Sequence, residues 1–434
     1  MNQKNMSYHN NDELYSERIQ AFEQQGSSLD FVNSLSQKIL FKTLRDIKKG
    51  YLEIYDGNDN FEFGDKSADT PHVKIKVNQP DFYSSVILGG SLGVSESYMV
   101  NQWECSSITD LTRLFLINRE RLDAMDSGPL TWTKNIISFL YHQFKRNSLT
   151  GSRKNIAAHY DLGNDFFEKM LDDTMSYSSA VFKDENTSLR DASIEKLDLI
   201  CRKLSLNKND HLLEIGTGWG GLAIHAAKNY QCKVTSVTIS KEQYEYAIKK
   251  IEDENLQNLI TVELKDYRKI EGQYSKLVSV EMIEAVGHQY YSEFFATCSR
   301  LVKPDGMFLL QAITIDDRYY DLARKSVDFI KKYIFPGCCI PSMATISKHI
   351  KKDTDYQLYH MQDISLDYAK TLNLWNQNFQ ANKDDIQKLG YDDNFCRMWE
   401  YYLQYCEGGF LERAIGDVQL IYVKKDTRNI TFDV

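Results

Sequence analysis

Apolar and polar positions alternate strictly over HVKIKV, residues 72–77, which sets Val73, Ile75 and Val77 on one face with charges between them. A period of two predicts a half-buried strand. YLEIYDGNDNFEFGD, just upstream, predicts further strand with DGND as the turn. DFYSSVILGGSLGVSESYM and ITDLTRLFLINRE read as helices, so residues 31–150 are expected to hold a small α+β domain behind a polar tail at 1–30. An amphipathic helix, SFLYHQFKR (138–146), leads into a Ser/Gly/Arg/Lys stretch that places the domain boundary near residue 150.

The pattern changes from residue 211. Short apolar runs, HLLEIG (211–216), KVTSVTI (233–239), LITVELKD (259–266), KLVSVEMI (276–283) and GMFLLQAIT (306–314), alternate with helical segments at 220–230, 241–254 and 289–303. This rhythm predicts a doubly wound α/β fold, a Rossmann-like parallel sheet, over 151–434. Two late strands are expected at 356–364 and 417–425, and extra helical segments at 320–334, 342–352 and 367–412 could lid a pocket.

Composition narrows the function classes. The chain has 434 residues, 42% hydrophobic and 26% charged, and a net charge of -9, which disfavours nonspecific nucleic-acid binding. The polar N-terminal stretch lacks an apolar core, so no secretory leader is expected. No apolar run reaches the roughly 18 residues of a membrane span. Eight cysteines without a C-x-x-C pair and nine histidines without H-x-x-x-H suit reduced, cytoplasmic thiols and no metal. Cys338 and Cys339 are read as part of a Pro/Gly loop near the lid.

The candidate chemistry starts at LLEIGTGWGGLA, residues 212–223. Gly216, Gly218 and Gly221 fit G-x-G-x-x-G, a turn that lets a ligand approach backbone N–H groups at a helix start. A dinucleotide site wants an acid at the end of the second strand. That strand ends Val237-Thr238-Ile239-Ser240, with no carboxylate. Glu214 lies two residues before Gly216 instead. Acid-x-Gly-x-Gly is the pattern of S-adenosylmethionine-dependent methyltransferases, where a carboxylate can orient the positively charged amino-acid end of the cofactor. In LKDYR (264–268), Asp266 could accept from the adenine amine and Tyr267 could flank the ring; a plain loop acid fits the spacing equally well.

HYDLGNDFFEKML (159–171), MSYSSAVF (175–182), LLEIGTGWGG (212–221), VTISKEQ (237–243), EMIEAVG (281–287), YIFPGCCIPS (333–342) and DYAKTLNLW (367–375) together resemble the cyclopropane fatty acid synthase family. Residues 78–105 also resemble the extra domain of its phospholipid-acting members. The resemblance implies transfer of a methyl from S-adenosylmethionine to the double bond of an unsaturated phospholipid acyl chain, with proton loss and ring closure. It implies a bound bicarbonate as base, held by Glu284, Tyr368 and the Ile313 amide, with Tyr160 facing the reacting centre. Tyr177, Ser178, Gly216, Gly218, Thr238 and Gln243 match cofactor contacts. Two positions of that pocket depart: Ser179 stands where the family commonly has cysteine, and Gln311 where it has histidine. Both can donate hydrogen bonds, but glutamine cannot carry charge as histidine can, which bears on bicarbonate binding and on ring closure. Glu281 is expected to be an exposed acid competing with Glu284, which is expected to end the fourth strand.

The resemblance further implies a homodimer at a membrane surface, with the basic stretch 134–154 touching anionic headgroups. The rival readings are a lipid C-methyltransferase giving a methyl-branched or methylene product, a small-molecule N-methyltransferase, and a non-catalytic lipid-binding relative.

Overall fold

The computed structural model describes residues 29–67, 69–120 and 162–428. The chain divides into two compact units, residues 1–159 and 160–434. Tyr160 and the basic stretch 134–154 lie outside the described residues.

In the first unit a helix over residues 29–44 (α1) precedes a sheet of order β2-β1-β3-β4. Its strands are β1 (Tyr51–Asp56), β2 (Asp59–Gly64), β3 (His72–Val77) and β4 (Trp103–Cys105). The β1–β2 hairpin turns at Gly57, where φ is +60°. Val73, Ile75 and Val77 are buried as their alternation predicts. Helices α2 (Asp81–Met99) and α3 (Ile108–Ile117) complete this unit, and α2 kinks at Gly90. Fully buried Trp103 donates from its indole to the Ser97 hydroxyl at 2.9 Å, so its polar edge is satisfied inside the core.

In the second unit α4 (Asn164–Met170) and α5 (Leu189–Lys203) precede a seven-stranded sheet. Its strands are β5 (His211–Ile215), β6 (Lys233–Thr238), β7 (Ile260–Leu264), β8 (Tyr274–Val280), β9 (Val302–Ile315), β10 (Gln357–Asp363) and β11 (Ile415–Val423). The order is β10-β11-β9-β8-β5-β6-β7. Strands β5 to β9 run parallel, while β11 pairs antiparallel with β9 and β10 with β11. Helices α6 (Gly221–Tyr230), α7 (Lys241–Asp253), α8 (Ile283–Val286) and α9 (Tyr291–Leu301) fill the crossovers. The central strands are apolar runs because both faces are covered: Leu213, Leu277 and Leu310 pack in one cluster, Leu212, Val278 and Leu309 in another.

Two helical expectations change. The segment 320–334 is a short helix α10 (Asp317–Ala323) followed by a π-helical turn at Ile330–Ile334. The segment 367–412 is three helices, α12 (Ser365–Ala381), α13 (Lys383–Lys388) and α14 (Asp393–Leu411), after α11 (Met343–Asp353). Phe166 of α4 is buried among Tyr391, Phe395 and Trp399, which ties the start of this unit to α14.

Candidate active site

The loop after β5 is built by glycine. Gly216, Gly218 and Gly220 have φ of +103°, +52° and +88°, a region that costs other residues energy. The Gly216 and Thr217 amides donate to the Val237 carbonyl at 3.0 and 3.2 Å, which fixes the loop against β6. A methyl added at Gly218 would meet nothing within 4 Å, so the loop faces open space there. Gly221 is a packing position instead: a Cβ would stand 2.8 Å from the Thr174 carbonyl oxygen. This cradle, opening at a helix start, fits S-adenosylmethionine.

Glu214 is 4% exposed and accepts from the Ser236 hydroxyl, which also bonds the Thr217 hydroxyl at 2.7 Å. Burial pushes its carboxyl up to about 8, against the opposing effects of Ser236 and Lys196. Thr238 ends β6 and donates to Gln243 Oε1 at 3.0 Å, so two residues matched to cofactor contacts hold each other. Beside them Ile239 is 80% exposed, an apolar surface where a dinucleotide site would carry an acid. Asp266 is gripped by Arg268, whose Nε lies 2.9 and 3.1 Å from its two oxygens, and this holds it below the ordinary carboxylate range. Tyr267 is half-buried with its ring edge-on to Phe294 at 5.7 Å. Asp266 also caps its own turn, accepting from the Arg268 amide at 3.0 Å.

The second group of residues gathers past the end of β8, beside Gln311 and Ile313 of β9 and Asp417 of β11. Here two expectations are corrected. Strand β8 stops at Val280, so Glu284 does not end it but sits in the turn α8. Glu281, expected as an exposed competitor, is only partly accessible and is the hub of the site. Its Oε1 accepts from the Ser179 amide at 2.9 Å and from Gln311 Nε2 at 2.8 Å, and its Oε2 accepts from the Tyr368 hydroxyl at 2.7 Å. Tyr368 therefore meets Glu281, not Glu284. Ser179 contributes its amide, because its hydroxyl turns back to the Ala180 carbonyl at 2.9 Å. The Ile313 amide, implied as a holder of bicarbonate alongside Glu284, instead donates to Glu284 Oε1 at 2.6 Å. Glu284 Oε2 and Asp417 Oδ1 are buried without a partner.

Charge is distributed unevenly here. Burial raises Glu281, but the Ser179 amide, Tyr368, Lys196 and Gln311 all oppose that rise. Glu284 is pushed up to about 8 by burial and then by Glu281. Burial, with Glu281 and Glu284 beside it, sends Asp417 well above the ordinary range. Three like groups cannot all ionise together. Of the three, Glu281 has the most donors, which favours its ionised form over those of Glu284 and Asp417.

Sequence reasoning missed two buried lysines. Lys196 is 2% exposed and donates from Nζ to the Ser178 hydroxyl at 2.7 Å. Lys203 is fully buried and donates to Gln419 Oε1 at 2.7 Å and to Gln362. Gln419 Nε2 then donates to Gln311 Oε1 at 2.9 Å, and Gln311 Nε2 donates onward to Glu281 and, at 3.1 Å, to Asp417 Oδ2. Burial lowers Lys203 to about 8. Both lysines lie in the stripe of α5 that carries Ala192, Leu199 and Ile200, a helical spacing that signals burial. Tyr177, also matched to the cofactor, shares a 2.9 Å hydrogen bond with the Tyr402 hydroxyl and lies 5.3 Å from the Trp375 ring.

Bicarbonate does not fit this arrangement. Tyr368, Gln311 and the Ser179 amide already spend their hydrogen bonds on Glu281.

A parallel sheet with an antiparallel β11, a glycine loop after its first strand and a buried polar cluster around Glu281 define an S-adenosylmethionine-dependent methyltransferase. The family model for mycolic acid cyclopropane synthetase matches residues 147–420, and the chain belongs to that family. It is 36% identical over 352 residues to tuberculostearic acid methyltransferase UfaA1 of Mycobacterium tuberculosis, covering 79% of this chain and 82% of that one. It is 37% identical over 353 residues to the cyclopropane-fatty-acyl-phospholipid synthase of Escherichia coli, covering 80% and 87%. The solved structure of mycolic acid cyclopropane synthase CmaA1 with SAH and CTAB superposes with a TM-score of 0.57 at 30% identity, covering 62% of this chain and 98% of that one.

Proposed function

We propose that the enzyme alkylates the double bond of unsaturated phospholipid acyl chains, forming cyclopropane fatty acids. The observation that carries this reading is the pairing of buried carboxylates with aromatic walls. Tyr177 faces Trp375 at 5.3 Å and Phe335 at 6.4 Å, and Tyr368 faces Trp375 at 6.1 Å and stacks on Phe410 at 4.5 Å. An alkene is an uncharged, weak nucleophile, so it depends on being held against an electrophile. The bound cofactor supplies that electrophile, an activated methyl. The rings and the Glu281 charge stabilise the carbon cation that results and keep water from it.

A second reading has specific support. Glu281 takes Tyr368, Gln311 and the Ser179 amide from the pocket implied for bicarbonate, and a similar relative is named for tuberculostearic acid. A methyl-branched or methylene chain is the product on that reading. Expression in a host without its own cyclopropane synthase, fed methyl-labelled methionine, separates the two by mass spectrometry of total fatty acids. A labelled saturated ring supports the first reading, and a labelled branched or unsaturated chain the second. No labelled lipid in any form sinks both.

A membrane-surface location completes the proposal. Among the described residues no helix is long and apolar enough to cross a membrane. Leu322 and Val327 stand 66% and 63% exposed in the same segment as Arg324 and Lys325, which suits a lipid surface. Charge reversal at Lys145, Arg146, Arg153 and Lys154 should weaken binding to anionic vesicles and leave cofactor affinity intact. Unchanged vesicle binding would remove the basic stretch from the proposal.

A further inference from the structure

We propose that Glu281 is the catalytic base itself, a carboxylate built into the chain at the place where the resemblance puts a free bicarbonate. The inference rests on the acyl-chain reading above and adds to it the group that takes the proton.

Three observations carry it. First, the donors converge. The Ser179 amide, Gln311 Nε2 and the Tyr368 hydroxyl come from three separate elements and meet on one carboxylate. Oε1 takes two donors and Oε2 one, with the Asp417 carboxyl also in hydrogen-bonding reach of Glu281. Second, the backbone of Glu281 has φ +47°. A side chain in this left-handed region costs on the order of 1 kcal/mol, and glycine would remove the cost. A strained residue at a site is held there by what its side chain does. Third, the neighbouring Glu284 is 9% exposed and aims an unpartnered Oε2 into the same cluster. A buried, unmet polar atom beside the donor-rich Glu281 is consistent with a site that takes a reacting group.

The step balances without any further reagent. The alkene electron pair forms the new bond to the methyl carbon as the C–S bond breaks, and the C–S pair stays on sulfur. The neighbouring carbon is left electron-deficient. Glu281 Oε2 takes a proton from the transferred methyl, and that C–H pair closes the ring. After a 1,2-hydride shift, the same proton loss leaves a methylene branch instead. In either case the proton resides on Glu281 until it passes to water.

The test uses the full chain in buffer stripped of carbon dioxide. Titration with ¹³C-bicarbonate, followed by NMR, should show no binding to the wild type and saturable binding to Glu281→Gly, which vacates the donors and relieves the strained φ. Turnover on vesicles of unsaturated phospholipid should not depend on added bicarbonate in the wild type. Glu281→Gln should fall on the order of 100-fold or more, the scale of a lost general base, while S-adenosylmethionine binding by calorimetry stays intact. Added bicarbonate should restore part of the rate of Glu281→Gly. Saturable bicarbonate binding to the wild type, a wild-type rate that collapses without bicarbonate, or a Glu281→Gln rate within threefold of wild type would each overturn the proposal. A wild type that labels no lipid overturns the acyl-chain reading instead, and the NMR comparison still decides what occupies the donor set.

Discussion

Tyr368→Phe isolates one hydrogen bond. It removes the 2.7 Å donor to Glu281 Oε2 and keeps the ring stacked on Phe410. A hydrogen bond to a charged group contributes about 1.5–3 kcal/mol, and about 1.4 kcal/mol corresponds to one pKa unit. Glu281 in the variant should therefore titrate about 1–2 units higher than in the wild type. If the ionised carboxylate is the active form, the rising limb of kcat/KM against pH should move up by that amount. Below the limb the variant should be about 10–100-fold slower, and above it the two rates should converge. The stability sign follows from the same shift. Burial already raises Glu281 above its ordinary value, so its contribution is full at low pH and is lost as pH rises through the folded value. The variant raises that value further. It loses a donor that matters most to the ionised form, so its thermal midpoint should fall further behind the wild type as pH rises. An equal loss of rate at every pH would refute the argument, because it would show the hydroxyl acting on something other than the ionisation of Glu281.

Other substitutions probe separate parts of the site. Glu284→Gln should add no stability near pH 4 and progressively more up to about pH 8, because a carboxyl shifted up to about 8 destabilises the fold across that window; parallel melting curves at pH 5 and pH 9 check this. Lys196→Met should weaken S-adenosylmethionine binding about tenfold or more at neutral pH, since it frees Ser178 and removes the cation that opposes protonation of Glu214; calorimetry would show it, and unchanged affinity would count against it. Gly221→Ala forces a methyl to 2.8 Å from the Thr174 carbonyl and should cost about 1–3 kcal/mol in denaturant unfolding, the scale of overpacking.

How much the sequence reveals depends on whether a feature is local. The alternation of Val73, Ile75 and Val77 and the apolar runs of β5 to β9 follow from burial on one or two faces, so spacing alone finds them. The end of β8 is not local. Met282 and Ile283 prolong the apolar run, while the break comes from the left-handed backbone of Glu281, held by three partners remote in sequence. The reading of Glu281 as exposed failed for the same reason. Segment 367–412 reads as one helical stretch because it has no proline, and its breaks fall near Asn382 and Gly390. The hydrogen bond from the Ile313 amide to Glu284 joins residues remote in sequence, and spacing does not reveal it. Lys196 and Lys203 were legible in principle, since their spacing sets them in an apolar stripe, but a helical lysine is ordinarily at the surface.

The chain of donors from Lys203 to Glu281 restricts how this enzyme could have diverged. A cation at one end forces each glutamine to accept on one side and donate on the other, so every amide has a single orientation. Gln311 spends both N–H groups, on Glu281 and Asp417. A neutral imidazole at 311 has one N–H to offer, and one of the two acids would lose its donor. Positions 203, 281, 311 and 419 should therefore be inherited as a block. An ancestor using a free anion and a descendant using Glu281 would not be joined by single neutral steps, and engineering one into the other calls for exchanging the set together.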